Sequence, residues 1–160
     1  MKQNTKYYIA YGSNLNVRQM RYRCPHAAIV GTAELKGWRL GFRGSMTGSY
    51  LTIEPDEDGI VPVAVWAVDE DDERALDRYE GYPTFYYKKE ITIECKRYCL
   101  KQIRKIDAFV YIMHEDRPHG VPYRHYVETC MEGYETFGFD RNILEKAVAD
   151  APKYAKEDLA

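Results

Sequence analysis

IAYGSNLN, residues 9–16, carries a short apolar run into a tyrosine, a glycine, a hydroxyl and an amide. With the residues before it, KYYIAYG reads as a first strand that ends at Gly12. Asn16 then caps a short helix, VRQMRYRC, and Gln19 stands where its side chain can reach back to the cap N–H. Pro25 stops that helix. A strand that turns tightly into a helix aims several unpaired N–H groups at one spot, and the helix dipole favours an anion there. Gly12 lets a ligand approach the backbone, and Ser13 and Asn14 add side-chain donors. Plain helix capping by the same two residues is an equally good local reading, so both stay open.

Outward from this stretch, strands are expected in AIVGTAELKGWRLGFRG (28–44) and SYLTIEP (49–55). The acidic EPDEDG at 54–59 reads as a turn, and IVPVAVWAV at 60–68 as a strong strand whose Pro62 marks an edge or bulge. DEDDERALDRYEG, 69–81, crowds acids into a first turn, spaces Ala75, Leu76 and Tyr79 helically, and ends in glycine. FYYKKEITIECKRY and KQIRKIDAFVYIM alternate as antiparallel partners across the charged tip CKRYCLKQ. VPYRHYVETCMEGYETFG is helical with Gly133 inside it, and Asp140 caps a last helix, RNILEKAVADA, ending at 151. The sum is α+β: a mostly antiparallel, curled sheet with helices inserted between strands and added at the end.

The 160 residues suit one domain, 1–160, with a substantial core. A net charge of −2 offers no surface for nucleic acid or membrane. The longest apolar stretch is too short to span a bilayer, and the N-terminus lacks a signal-peptide core. These features predict a cytoplasmic protein. Cys24, Cys95, Cys99 and Cys130 fit reduced thiols better than a disulfide scaffold. Nothing in the sequence specifies an oligomeric state. The 15 tyrosines are abundant; packing explains most, and a polar pocket lined by a few is the sharper alternative.

Chemistry by elimination leaves little. The four histidines form no HxH or HExxH pattern, and CKRYC has no second cysteine pair, so no metal is expected and no cofactor is indicated. Ser13 lacks the second glycine of a nucleophile elbow, and Cys24 lies on a helix. A hydrolase built on Ser13 or Cys24 is thus a minor alternative, beside a non-catalytic small-molecule binder. Among the carboxylates Glu80 stands out. It ends a helix, where the dipole opposes an anion, among Tyr79, Tyr82, Phe85 and Tyr86. Burial there would raise its pKa and suit it to acid/base work. Position alone favours an ordinary exposed glutamate.

YGSNL ending the first strand, LDRYEGYPTFYYKKEITI in mid-chain and PYRHYVETCMEGYETFGF near the end together resemble the γ-glutamylcyclotransferase-like (AIG2-like) family over nearly the whole chain. The resemblance implies a small mixed α/β barrel, and a small-molecule γ-glutamyl substrate. It implies that Tyr11, Gly12, Ser13, Asn14 and Leu15 cradle the γ-glutamyl head group and that Glu80 is the single catalytic acid/base. It further implies pocket positions for Tyr87, seven residues past Glu80, and for Tyr126, or Tyr123 if local gaps shift the match. The implied reaction is attack of the substrate's own α-amine on its γ-carbonyl, releasing 5-oxoproline and a free amine without metal or ATP. YPTFYY after Gly81 departs from the cytosolic animal enzymes, which leaves the leaving amine unspecified.

Overall fold

The computed structural model of the chain describes residues 4–45, 47–98 and 101–160. Five strands close into a barrel in the order β1 (Lys6–Ala10), β3 (Gly48–Val68), β2 (Ala28–Ser45), β4 (Tyr86–Arg97) and β5 (Ile103–Met113). All neighbours are antiparallel except the closing pair, where β5 meets β1 in parallel at Tyr8 and Phe109. Helix α1 (Val17–Arg23) follows β1, α2 (Glu70–Glu80) joins β3 to β4, and α3 (Arg124–Phe137) and α4 (Arg141–Leu159) follow β5. The mostly antiparallel barrel with inserted and appended helices matches the expected class.

Residues 61–68 of β3 explain why that run is apolar almost throughout. From Ala64 to Ala67 the strand is paired on both sides, by β1 and β2, and Val63, Ala64, Val65 and Trp66 are all buried. A strand covered on both faces needs no polar alternation. Pro62, which cannot donate to a ladder, falls just before the β1 pairing begins, at an edge as its chemistry requires.

The structure corrects the expected turn at 54–59. β2 and β3 form one long hairpin, and the acidic stretch is a bulge within it: Lys36 pairs with Ile60 and Trp38 with Pro55, so residues 56–59 stand opposite Gly37 alone. Gly37 takes a left-handed φ of 88°, which a side chain would resist. The last helix is also longer than expected, running through Pro152 to Leu159. Tertiary contacts hold the extension despite the lost N–H: Arg39 stacks on Tyr154, and Asp158 accepts from the His119 backbone at 2.6 Å.

The caps mostly follow the sequence. Asp69 and Asp72 form a reciprocal capping box at the start of α2, and Gly81 ends it with a φ of 62°. Asn16 caps α1 by accepting from the Gln19 N–H at 3.2 Å. Gln19 does not return the bond; the Asn16 N–H is taken by the Ser13 carbonyl at 3.0 Å. Cys24, Cys95 and Cys130 are free and buried, and Cys99 lies outside the described residues. Among the described residues no helix is long and apolar enough to cross a membrane.

Candidate active site

Helix α2 carries Glu73, Asp77 and Glu80 at spacings that put all three carboxylates on one face. That face lies on the sheet. Glu73 pairs with Lys88 of β4 at 2.6 Å and Lys6 of β1 at 3.0 Å. Asp77 pairs with Lys88 at 2.8 Å and accepts from the Tyr111 hydroxyl of β5 at 2.6 Å. Two acids thus dock the helix. The third, one turn on, has no hydrogen-bond partner for its carboxylate among the described residues. It faces a cavity of about 420 Å³ instead.

The far wall of that cavity is the turn after β1. Gly12, Ser13 and Asn14 line it together with Tyr11 and Tyr8. Ser13–Leu15 form a single 3-10 turn, closed by Leu15 N–H to the Gly12 carbonyl at 3.0 Å. The N–H groups of Ser13 and Asn14 have no acceptor among the described residues. The Ser13 hydroxyl shares a 3.0 Å hydrogen bond with that of Tyr79. A Cβ at Gly12 would stand 3.5 Å from the Tyr126 hydroxyl, so the missing side chain is cavity space.

The floor is a stretch of β3 that is paired on one side only, by β2. Beyond the β1 pairing, the Leu51 backbone has no strand beside it on this side, and exposed strand edges need partners. Tyrosines supply them. The Tyr126 hydroxyl accepts from the Leu51 N–H at 3.0 Å, and the Tyr86 hydroxyl donates to the Leu51 carbonyl at 2.8 Å. Tyr11 donates to the Tyr111 carbonyl at 2.7 Å. Tyr50, on the same strand, packs edge-on against Tyr126. The tyrosine-rich composition therefore does line a pocket, and the hydroxyls also satisfy the backbone.

Enclosure in this wall sets the chemistry of Glu80. Part of the residue stays accessible through the cavity, but the carboxyl is surrounded by protein. Burial pushes it up to about 8, while the Arg23 guanidinium pulls in the opposite direction. The neighbouring hydroxyls of Tyr8, Tyr11, Tyr86 and Tyr126 are raised well above 10, chiefly by burial, so they stay neutral. Near neutral pH the site offers one carboxyl that can both hold and release a proton.

Of the eight residues that the resemblance implies for the site, six come together here: Tyr11, Gly12, Ser13, Asn14, Glu80 and Tyr126, beside Tyr79, Phe85 and Tyr86. Two do not. Leu15 turns into the core, fully buried, and packs against Gly133 of α3. Tyr87 is absent from the cavity wall; its hydroxyl donates to Glu115 at 2.7 Å and its ring lies against His114. The cavity tyrosine of β4 is Tyr86. Adjacent strand residues point to opposite faces, and Tyr86 shares the α2-covered face with Lys88 and its cross-strand partner Tyr111. Tyr123 is exposed and stacks on His125. Sequence reasoning missed Tyr8, Tyr50, Tyr111 and Leu51, which only the closed barrel brings to the site.

Cys24 lies outside the cavity wall, and burial raises its thiol to about 12. No histidine lines the cavity among the described residues, so Ser13 has no base of that kind. Among the described residues the one close group of possible metal ligands is His26, Asp69 and Asp71, which is not part of the cavity wall.

Comparison with known proteins finds a match to the family model described as gamma-glutamyl cyclotransferase, AIG2-like, over residues 8–129. The chain is 29% identical to a gamma-glutamylcyclotransferase of Mus musculus, over 96% of this chain and 82% of that protein. It is 29% identical to a gamma-glutamylcyclotransferase of Homo sapiens, over 91% and 78% respectively. A solved structure titled gamma-glutamyl cyclotransferase superposes with a TM-score of 0.75 at 25% identity, covering 90% of this chain and 86% of that one.

Proposed function

The chain belongs to the gamma-glutamyl cyclotransferase, AIG2-like family of enzymes, and from that premise we propose that it cyclises a γ-glutamyl amide to 5-oxoproline with Glu80 as the acid/base. One observation carries the reading: the Glu80 carboxyl, without a hydrogen-bond partner among the described residues, shares a cavity with a turn of free N–H groups, and its burial there pushes it up to about 8. The cavity suits a small substrate.

The turn at 12–14 receives the substrate's α-carboxylate through the Ser13 and Asn14 N–H groups, with the Ser13 hydroxyl beside them. This holds the α-amine near the γ-carbonyl carbon. Glu80, as carboxylate, takes a proton from the α-ammonium. The freed amine attacks and a five-membered ring closes; Glu80 returns its proton to the leaving nitrogen as that bond breaks, then takes the second proton shed by the ring nitrogen and passes it to the departing amine, which leaves as its ammonium. No water is consumed. Because the nucleophile is part of the substrate, orientation supplies much of the acceleration, and one proton shuttle supplies the rest.

Ser13→Ala is expected to raise KM severalfold while kcat stays within about tenfold of wild type, since backbone groups carry most of the carboxylate binding. Complete loss of turnover in folded Ser13→Ala protein would instead support a nucleophilic serine.

The function is tested by the pH dependence of 5-oxoproline release. The base form of Glu80 accumulates only as pH rises through about 8, so kcat/KM should climb with pH up to that point and level off above it. An acid limb near the ordinary carboxylate range would mean that burial does not raise the Glu80 pKa, and a kcat/KM with no acid limb at all would remove Glu80 from the role of base.

A further inference from the structure

We propose that Arg23 is a positioning residue: its guanidinium, held between Tyr79 and Asn14, spans from the helix end that carries Glu80 to the turn that receives the substrate and sets their spacing. The proposal rests on the cyclotransferase reading above. Arg23 is the last residue of α1 and makes no ion pair with any carboxylate among the described residues. Its guanidinium carbon lies 3.4 Å from the centroid of the Tyr79 ring, on the residue just before Glu80. Its Nη1 donates to Asn14 Oδ1, and Nη2 reaches Gln19 Oε1 at 3.4 Å.

The two partners are tied again from their other sides. The Tyr79 hydroxyl shares a hydrogen bond with Ser13 Oγ at 3.0 Å, and Asn14 Nδ2 donates to the Tyr8 hydroxyl at 2.8 Å. Arg23, Tyr79, Ser13 and Asn14 thus form a closed ring of contacts around one side of the cavity. A planar guanidinium can lie flat on a ring and donate in its own plane to Asn14 and Gln19 at once; an ammonium has no plane to stack and no fixed fork.

The same placement gives Arg23 an electrostatic hold on Glu80. The groups facing the carboxyl from β1, β4, β5 and α3 are tyrosines that burial keeps neutral. Arg78, on Glu80's own helix, also lines the cavity. Arg23 is the charge that lowers the Glu80 pKa against the effect of burial. Removing it should make the carboxyl harder to ionise.

The test uses the 160-residue chain and its variants Arg23→Met and Arg23→Lys. Glu80 is titrated directly by carbon NMR of labelled glutamate carboxyls, and kcat and KM for 5-oxoproline release are measured against pH. Arg23→Met should move the NMR midpoint and the acid limb upward together, raise KM, and lower kcat/KM at pH 7 by about threefold to tenfold. Arg23→Lys keeps the charge but not the clamp, so it should restore the midpoint while KM stays raised. A wild-type midpoint in Arg23→Met, or a wild-type KM in Arg23→Lys, would overturn the proposal. If Arg23→Met fails to fold, the Lys variant still decides through KM. A wild type that releases no 5-oxoproline would instead defeat the cyclotransferase reading, and an unmoved NMR midpoint would still overturn the Arg23 assignment on its own.

Discussion

Glu80→Gln is expected to cut 5-oxoproline release by roughly 10²–10⁴-fold in protein that remains folded. The substitution keeps the size of the side chain and its place beside the cavity. It removes the ability to take up and release a proton. No hydrogen bond is lost, because the carboxylate has no partner among the described residues. The same variant has a signature in stability. Burial raises the folded-state pKa of Glu80 to about 8, above its unfolded value of 4.5. The folded wild type therefore binds the proton more tightly than the unfolded chain, and loses stability as pH rises from about 4.5 to about 8. Glutamine carries no such penalty. Thermal melts should show Glu80→Gln gaining on the wild type across that window and staying ahead above it. Unchanged turnover would dismiss Glu80 as the acid/base, and parallel stability curves would dismiss the raised pKa.

Gly133→Val is expected to lower the melting temperature by about 5–10 °C and to take most of the activity with it. Gly133 stands inside α3, where glycine ordinarily costs about 1 kcal/mol relative to alanine. The structure supplies the compensating gain. A Cβ at this position would lie 2.5 Å from Leu15 Cβ and 2.6 and 2.7 Å from the Leu15 carbonyl carbon and oxygen. Two of these atoms are backbone in the turn that lines the cavity, so they cannot rotate aside. Either the Ser13–Leu15 turn shifts, which displaces Ser13 and Asn14 from Glu80, or α3 withdraws, which takes Tyr126 away from the Leu51 N–H in the cavity wall. Overpacking of this kind costs typically 1–3 kcal/mol, and valine adds two methyl groups to the clash. Differential scanning calorimetry beside a turnover assay checks both effects. A fully stable and active Gly133→Val protein would mean that the helix and the turn are not in this contact.

Leu15 shows why the turn motif was only partly legible in sequence. The five residues YGSNL look like one functional unit, yet the 3-10 turn sends Leu15 into the core as an anchor while the three residues before it face the cavity. Local features were readable because they depend on neighbours in the chain: the strand into Gly12, the acid-capped helix ending at Gly81, the alternating β4 and β5. The parity of a pocket tyrosine was not. A one-residue offset separates Tyr86 from Tyr87 and puts them on opposite faces of the sheet. The bulge at 56–59 carries the same acids as a turn, and only the register with β2 tells them apart. The environment of Glu80 draws on β1, β4, β5, α1 and α3, so its burial is a property of the closed barrel. The role of Arg23 was hidden for the same reason: its partners lie on α2 and on the turn, and nothing in VRQMRYRC points to them.

The most direct test is the identity of the product. Purified protein is incubated with γ-glutamyl-amino acids and with γ-glutamyl-ε-lysine in isotopically heavy water oxygen, and the products are resolved by mass spectrometry. Intramolecular attack predicts unlabelled 5-oxoproline in equal amount to the free amine. Oxygen-labelled glutamate in its place would mean that water or an acyl-enzyme does the chemistry, and would contradict the account.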